Sequence, residues 1–288
     1  MARNAHMIAA SGGDNGAMQS MITPAHPVLA RHNVKVSGEG SIPMMFAHGF
    51  GCDQNMWRKV APAFAAEYRI ITFDYIGHGE SDRSAYSASK YASLEGYVTD
   101  LLDICDALGV EHGVFVGHSV SAMIGALAAT REPRRFDTLV MIGPSPRYLN
   151  DGEYLGGFER ADIDGLLDAL DSNYLGWANS MAPVIMGNGD RPELGVELAN
   201  AFCRTDPEVA RQFARVTFLS DNRADLAKVP ARCLVLQCAS DVIAPASVGE
   251  FVHQQLPIST LVHLRAVGHC PNVSEPEETV AAIRAFLG

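Results

Sequence analysis

Apolar and polar positions along the chain fall into two alternating rhythms. Ile42–Ala47 is an unbroken apolar run, and shorter, mainly apolar runs recur at residues 69–73, 114–116, 139–142, 234–236 and 261–264. Short continuous runs of this kind predict strands buried on both faces. Between them the spacing turns helical. Leu94, Val98, Leu101, Cys105 and Leu108 share one face of a helix predicted over residues 93–108, which Gly109 stops. Further helices are predicted around 57–66, over 120–129 ending near Arg131, over 245–256 and over 276–287. Residues 28–36 read as an early strand that ends at the turn Ser37-Gly38-Glu39-Gly40. Strand and helix in alternation predict an α/β domain: a mostly parallel sheet flanked by helices.

The alternation stops at Gly143-Pro144-Ser145-Pro146 and resumes after residue 220. Between those points only helical patterns occur, at 162–184, 193–203 and 207–219, with a short helix near 152–160; Gly187-Asn188-Gly189-Asp190 interrupts them. A helical block inserted in an α/β rhythm is expected to be a lid over the carboxyl end of the sheet, where ligands bind in such folds. The plainer alternative is a helical subdomain that gates nothing. The expected organisation is a core of residues 26–145 and 221–288, a helical lid over 146–220, and a flexible amino-terminal extension over 1–25 in which Met21 is an alternative start.

Composition narrows the class. Apolar residues make up 48% of the 288, ample for a sizeable core. The formal net charge is −11 and no run of lysines or arginines occurs. Neither nucleic acid nor an anionic membrane is expected as a partner. Six cysteines are present without a CxxC pair. Most lie in apolar stretches, so free thiols in a reducing, cytoplasmic setting are expected. No signal-peptide core and no run of 18 apolar residues is present.

The chemistry concentrates in residues 112–125, His-Gly-Val-Phe-Val-Gly-His-Ser-Val-Ser-Ala-Met-Ile-Gly. A serine between a short apolar strand and a small-residue helix suggests a nucleophile elbow, in which a sharp turn lifts the hydroxyl clear of the sheet. The usual signature is Gly-x-Ser-x-Gly, and Ser121 stands where the last glycine belongs. A serine hydroxyl needs a base and a group to orient that base, in the chain order Ser, acid, His. Asp241 follows one later strand and His269 the next. Taken singly, Ser119 fits a helix cap, Asp241 a turn cap before Pro245, and His269 a satisfied core histidine. Together, in order and at strand ends, they are the expected catalytic group: Ser119, Asp241 and His269. Oxyanion donors are expected at the backbone N–H of Val120 and, from the Gly49-Phe50-Gly51 loop, of Phe50. Phe50, Val120, Phe158, Trp177 and Met181 are the expected lining of an apolar substrate pocket. His118 is expected to pack or hydrogen-bond beside the nucleophile, His78 to be structural, and His112, His253 and His263 to lie at the surface. No Walker A motif, HExxH, strand-linked GxGxxG or metal-ligand spacing occurs, and the chemistry requires no cofactor or metal.

Four stretches, the first of them within 112–125, make the pattern specific. They are Val116-Gly-His-Ser-Val-Ser-Ala-Met-Ile-Gly125, Gly143-Pro-Ser-Pro-Arg-Tyr-Leu-Asn-Asp151, Phe218-Leu-Ser-Asp-Asn-Arg223 and Leu236-Gln-Cys-Ala-Ser-Asp-Val-Ile-Ala-Pro245. From about residue 30 to 287 the chain resembles the RsbQ-like bacterial stress-regulator hydrolases and the related strigolactone and karrikin receptors of plants. Residues 203–213 lean toward the bacterial members. The resemblance implies an α/β-hydrolase fold under a V-shaped lid of four helices. It places a Ser-Asp-His triad on Ser119, Asp241 and His269, and oxyanion donors on Phe50 and Val120. It also implies a small hydrophobic ester or lactone as substrate. A regulatory protein partner, such as a PAS-domain phosphatase, is the second implication. Two functions follow: an esterase-type serine hydrolase working through an acyl-enzyme, or a ligand-sensing regulator in which slow hydrolysis gates partner binding. A dehalogenase or epoxide hydrolase is disfavoured because Ser119, not an aspartate, occupies the elbow.

Overall fold

The computed structural model describes residues 26–288; the expected extension over 1–25, with Met21, lies outside them. In chain order the elements are α1 (Pro27–Arg31), β1 (Lys35–Ser37), β2 (Ile42–Ala47), β3 (Tyr68–Thr72), α2 (Leu94–Leu108), β4 (Val114–His118), α3 (Val120–Arg131) and β5 (Thr138–Ile142). Four helices follow: α4 (Arg160–Ser172), α5 (Tyr174–Met186), α6 (Pro192–Arg204) and α7 (Pro207–Phe218). The chain ends with α8 (Arg223–Leu226), β6 (Arg232–Ser240), α9 (Ala246–Gln255), β7 (Ser259–Val267), α10 (Pro271–Ser274) and α11 (Pro276–Leu287).

The strands form one seven-stranded sheet in the order β1-β3-β2-β4-β5-β6-β7. Only β1 runs antiparallel, against β3; the other pairings are parallel. Alternate strand residues serve opposite faces. Met44, Phe46, Val116, Val140 and Leu236 join one apolar cluster, while Met45, Phe115, Met141 and Val235 join the other. Burial on both faces explains why these strands are continuous apolar runs instead of alternating ones. Strand β4 is the central strand, so the turn after it opens at the middle of the carboxyl edge.

The structure departs from the sequence expectation in four places, each with a local cause. Residues 28–36 are not one strand. Pro27 takes the first helical position, where its missing N–H is no loss, and starts α1. Residues 57–66 are not an α-helix but the end of one short 3₁₀ turn, Gln54–Trp57, and a second, Ala61–Phe64. Pro62 lacks the N–H that an α-helix there would bond to Arg58, and Asp53 caps the first turn by accepting from the Asn55 N–H at 2.9 Å. Residues 162–184 are two helices, broken at Asn173. Its side-chain oxygen caps α5 by accepting from the Gly176 N–H at 3.0 Å. Residues 152–160 do not form the short helix. The segment folds back on itself, with Asp151 bridging Tyr154 and Leu149 bridging Phe158. Gly152 and Gly157 supply the left-handed turns, at φ of 61° and 107°.

Close packing of strand on helix brackets the elbow. A Cβ placed on Gly117 would lie 2.6 Å from the carbonyl oxygen of Ser121 and 2.8 Å from the Ala122 nitrogen. Backbone cannot yield as a flexible side chain does. Gly117→Ala is therefore expected to lower unfolding stability by about 1–3 kcal/mol, the usual cost of overpacking. Calorimetry should show a clearly lower Tm; an unshifted Tm would contradict this account of the elbow.

Among the described residues, no helix is long and apolar enough to cross a membrane.

Candidate active site

Ser119 joins β4 to α3 with φ 56° and ψ −123°; only one other non-glycine, Asn33, has positive φ among the described residues. Such a conformation costs on the order of 1–3 kcal/mol and needs its surroundings to hold it. The Ser119 N–H donates to the Ile142 carbonyl on β5 at 2.8 Å, which anchors the turn to the next strand. Its side chain makes no capping bond to the helix that follows. The hydroxyl instead lies 2.8 Å from His269 Nε2.

His269 Nδ1 lies 2.7 Å from Asp241 Oδ2. The other carboxylate oxygen, Oδ1, accepts from the Ile243 and Ala244 N–H groups at 2.8 and 3.1 Å. Asp241 is thus a turn cap and a histidine partner at once, one role per oxygen. Burial pushes its carboxyl up, but His269 and the two amides outweigh burial and hold it below the usual carboxylate range. An ionised Asp241 only accepts, so Nδ1 of His269 carries the proton and Nε2 presents its lone pair to the Ser119 hydroxyl. Both side chains are almost wholly buried.

The histidine is held along its backbone as well. Its N–H donates to the Ile185 carbonyl of α5 at 2.9 Å. Its carbonyl accepts from His118 Nε2 at 2.8 Å. Burial, helped by the neighbouring His269, pushes His118 down to about 3, so it is a neutral imidazole with its proton on the nitrogen that donates. The two rings sit 4.9 Å apart. His118 does more than pack, and His78 is buried against His48 and Phe213.

The loop after β2 reaches the elbow. A Cβ on Gly49 would lie 3.3 Å from the Ser119 Cβ, so glycine lets this backbone approach the nucleophile closely. Val120 is the first residue of α3, and its N–H has no intrahelical acceptor. Above the loop the Phe50 ring meets four rings from the helical block: Trp177 of α5 at 6.0 Å, Phe202 of α6 at 5.9 Å, and Phe213 and Phe218 of α7 at 5.9 and 6.1 Å.

Ser119 and His269 open into an apolar cavity whose walls include side chains from all four helices α4–α7. Of the residues named from the sequence, Phe50, Trp177 and Met181 stand in its wall. Two expected lining residues are absent from its wall. Val120 instead belongs to the core cluster that holds Tyr75 and Phe213. Phe158 lies in the folded-back segment ahead of α4, paired with Leu149. Sequence reasoning missed Tyr148, Thr217 and Ile243 in the wall. All three lie within or beside the motifs singled out at 143–151, 218–223 and 236–245, which was the available signal. The hydroxyls of Tyr148 and Thr217 are buried and have no partner among the described residues.

Fold and site together define the class: an enzyme that hydrolyses its substrate, with a serine presented at the central turn of a parallel α/β sheet. The chain belongs to the alpha/beta hydrolase family, whose family profile matches residues 44–283. It is 38% identical over 263 residues to a strigolactone esterase of Arabidopsis thaliana, covering 91% of this chain and 98% of that one. It is 36% identical over 254 residues to a karrikin insensitive 2 receptor of Petunia hybrida, covering 88% and 94%. Among solved structures, a hydrolase from Oleispira antarctica superposes with a TM-score of 0.88 at 40% identity, covering 90% of this chain and 95% of that one.

Proposed function

We propose that this protein is an RsbQ-like serine hydrolase that cleaves a small hydrophobic ester or lactone through an acyl-enzyme. The observation that carries the proposal is the buried chain from Ser119 Oγ to His269 Nε2 at 2.8 Å and from His269 Nδ1 to Asp241 Oδ2 at 2.7 Å, opening on an apolar cavity. The Ser119 oxygen attacks the substrate carbonyl carbon while His269 takes its proton, and Asp241 stabilises the imidazolium. The oxyanion accepts from the Phe50 and Val120 N–H groups. His269 returns the proton to the leaving alkoxide, which in a lactone stays tethered to the acyl chain. Water, activated by the same histidine, then releases the acid and restores Ser119. The apolar wall favours a hydrophobic substrate, and the two unpaired hydroxyls of Tyr148 and Thr217 suit one that carries a further oxygen.

Helices α4–α7 act as a lid in this reading. Their side chains form much of the cavity wall, so movement of the helices would admit a substrate and close over it. The six free cysteines support a cytoplasmic setting. A second function deserves its own test because the lid grips the chemistry directly, through the Ile185 carbonyl on His269 and the rings on Phe50. There, slow hydrolysis sets a lid state that a regulatory protein, such as a PAS-domain phosphatase, reads.

Intact-protein mass spectrometry with a panel of small esters and butenolides tests the first reading. The expected result is a transient acyl mass increment on Ser119 that decays as product forms. Turnover with the adduct on another residue would sink it. The sensing reading additionally expects ligand to change amide exchange in α4–α7, and fails if their protection is the same with and without ligand.

A further inference from the structure

We propose that Ser121 and Tyr75 are positioning residues for the oxyanion hole; the inference rests on the serine-hydrolase reading above. Ser121 occupies the position where the elbow signature has glycine, and it is fully buried. Smallness alone would explain an alanine there as well as a serine. The hydroxyl has a specific engagement instead. Ser121 Oγ–H donates to the His48 carbonyl at 2.5 Å, across 73 residues of chain. A serine has one proton, and the carbonyl can only accept. The Tyr75 hydroxyl, 2.8 Å from Ser121 Oγ, is therefore the donor to Ser121. Burial pushes the Tyr75 phenol well up, which keeps that proton in place.

The His48 ring continues the chain of bonds. Its Nε2 accepts from the Tyr75 N–H at 3.1 Å, so Nδ1 carries the proton and donates to the Gly49 carbonyl at 2.9 Å. Burial lowers the His48 pKa, which is consistent with this neutral tautomer. Both carbonyls ahead of Phe50 are thereby fixed, that of His48 by Ser121 and that of Gly49 by the His48 ring together with the Cys52 N–H at 3.2 Å. A trans peptide is planar, with its C=O and N–H pointing in opposite directions. Holding the Gly49 carbonyl on the His48 side therefore aims the Phe50 N–H the other way. That N–H is the proposed oxyanion donor. Tyr75 and Ser121 never touch the substrate. They act on the His48–Gly49 peptide, one plane ahead of the peptide that carries the Phe50 N–H, and a glycine at 121 would leave the Tyr75 hydroxyl without its acceptor.

The test compares wild type with Ser121→Ala, Tyr75→Phe and the double variant. It uses p-nitrophenyl acetate for kcat/KM and phenylboronic acid as a tetrahedral mimic. Each single variant should lower kcat/KM about tenfold or more, the scale for a slightly misplaced catalytic group. The boronic acid Ki should rise by the same factor. The double variant should be close to Ser121→Ala, because one chain of bonds is cut once. A merely structural role would lower Tm without moving boronate affinity in step with kcat/KM, and that result overturns the inference. So does Ser121→Ala activity within twofold of wild type. If Ser121→Ala does not fold, Tyr75→Phe, which keeps the ring packed on Tyr97 and Phe73, decides the matter by the same criteria. A fluorophosphonate separates the two readings. Failure of wild type to label at Ser119 refutes the hydrolase mechanism, whereas normal labelling with equal rates in wild type and variants refutes only the positioning role.

Discussion

Replacing Ser119 with alanine is expected to lower kcat/KM for p-nitrophenyl acetate by about 10⁵- to 10⁶-fold, the scale seen when a nucleophile of this kind is removed. No other hydroxyl replaces it. Tyr148 and Thr217 line the same cavity, but no histidine hydrogen-bonds either one, since neither has a partner among the described residues. What survives is the catalysis that the oxyanion donors and binding give to direct attack by water. The substitution should not unfold the protein. The strained backbone at φ 56° is set by β4, β5 and the helix behind it, not by the hydroxyl, which makes no capping bond. Stopped-flow release of p-nitrophenol is the measurement. A burst of equal size in Ser119→Ala and wild type would remove Ser119 from the reaction.

The second large effect is expected of Asp241→Asn, about 10⁴-fold in kcat/KM. The reason lies in the division of labour between the two carboxylate oxygens. Oδ1 accepts from the Ile243 and Ala244 amides, and an asparagine amide nitrogen cannot replace it there without setting donors against donors. The asparagine therefore keeps its oxygen on the turn and turns its NH₂ toward His269. Nδ1 must then accept, the ring proton moves to Nε2, and the nitrogen facing Ser119 no longer has a lone pair for the hydroxyl proton. Geometry is preserved while the tautomer is inverted. The expected signature is a near-native Tm and an intact cavity with activity almost gone. Retention of more than about a tenth of wild-type kcat/KM would show that His269 does not depend on Asp241 for its protonation state.

Much of this molecule is written locally in its sequence. Strand β2 and helix α2 are legible because their signals are short-range: a continuous apolar run for the one, and Ser93, a helical apolar face and Gly109 for the other. The positions of Ser119, Asp241 and His269 are legible because chain order and strand ends fix where a side chain can reach the carboxyl edge. Helical spacing gave no warning of the break at Asn173, because an asparagine mid-pattern looks tolerable until its side chain is seen to cap the next turn. The turn-back at 152–160 hung on two glycines with positive φ, which a helical spacing argument ignores. Phe158 and Val120 failed as cavity wall for one shared reason: apolar character tells that a side chain is buried, not which side of its element it is buried on. The Ser121–His48 bond was beyond reach because it joins a hydroxyl to a carbonyl, and every residue has a carbonyl.

The ring of Phe50 and the N–H of Phe50 belong to one residue, yet they face different parts of the protein. The ring is wedged among four aromatic side chains of α5, α6 and α7, while the N–H is the oxyanion donor proposed above. Coupling between two sites is reciprocal by thermodynamic necessity. If settling the helices onto that ring sharpens the grip on an oxyanion by some factor, then an oxyanion in place settles the helices by the same factor. Catalysis and shape change are then one free energy seen from two ends. In the sensing reading proposed above, a protein docked on the outer surface of α5–α7 would register each tetrahedral intermediate as a momentary change in its own affinity, without ever meeting the substrate.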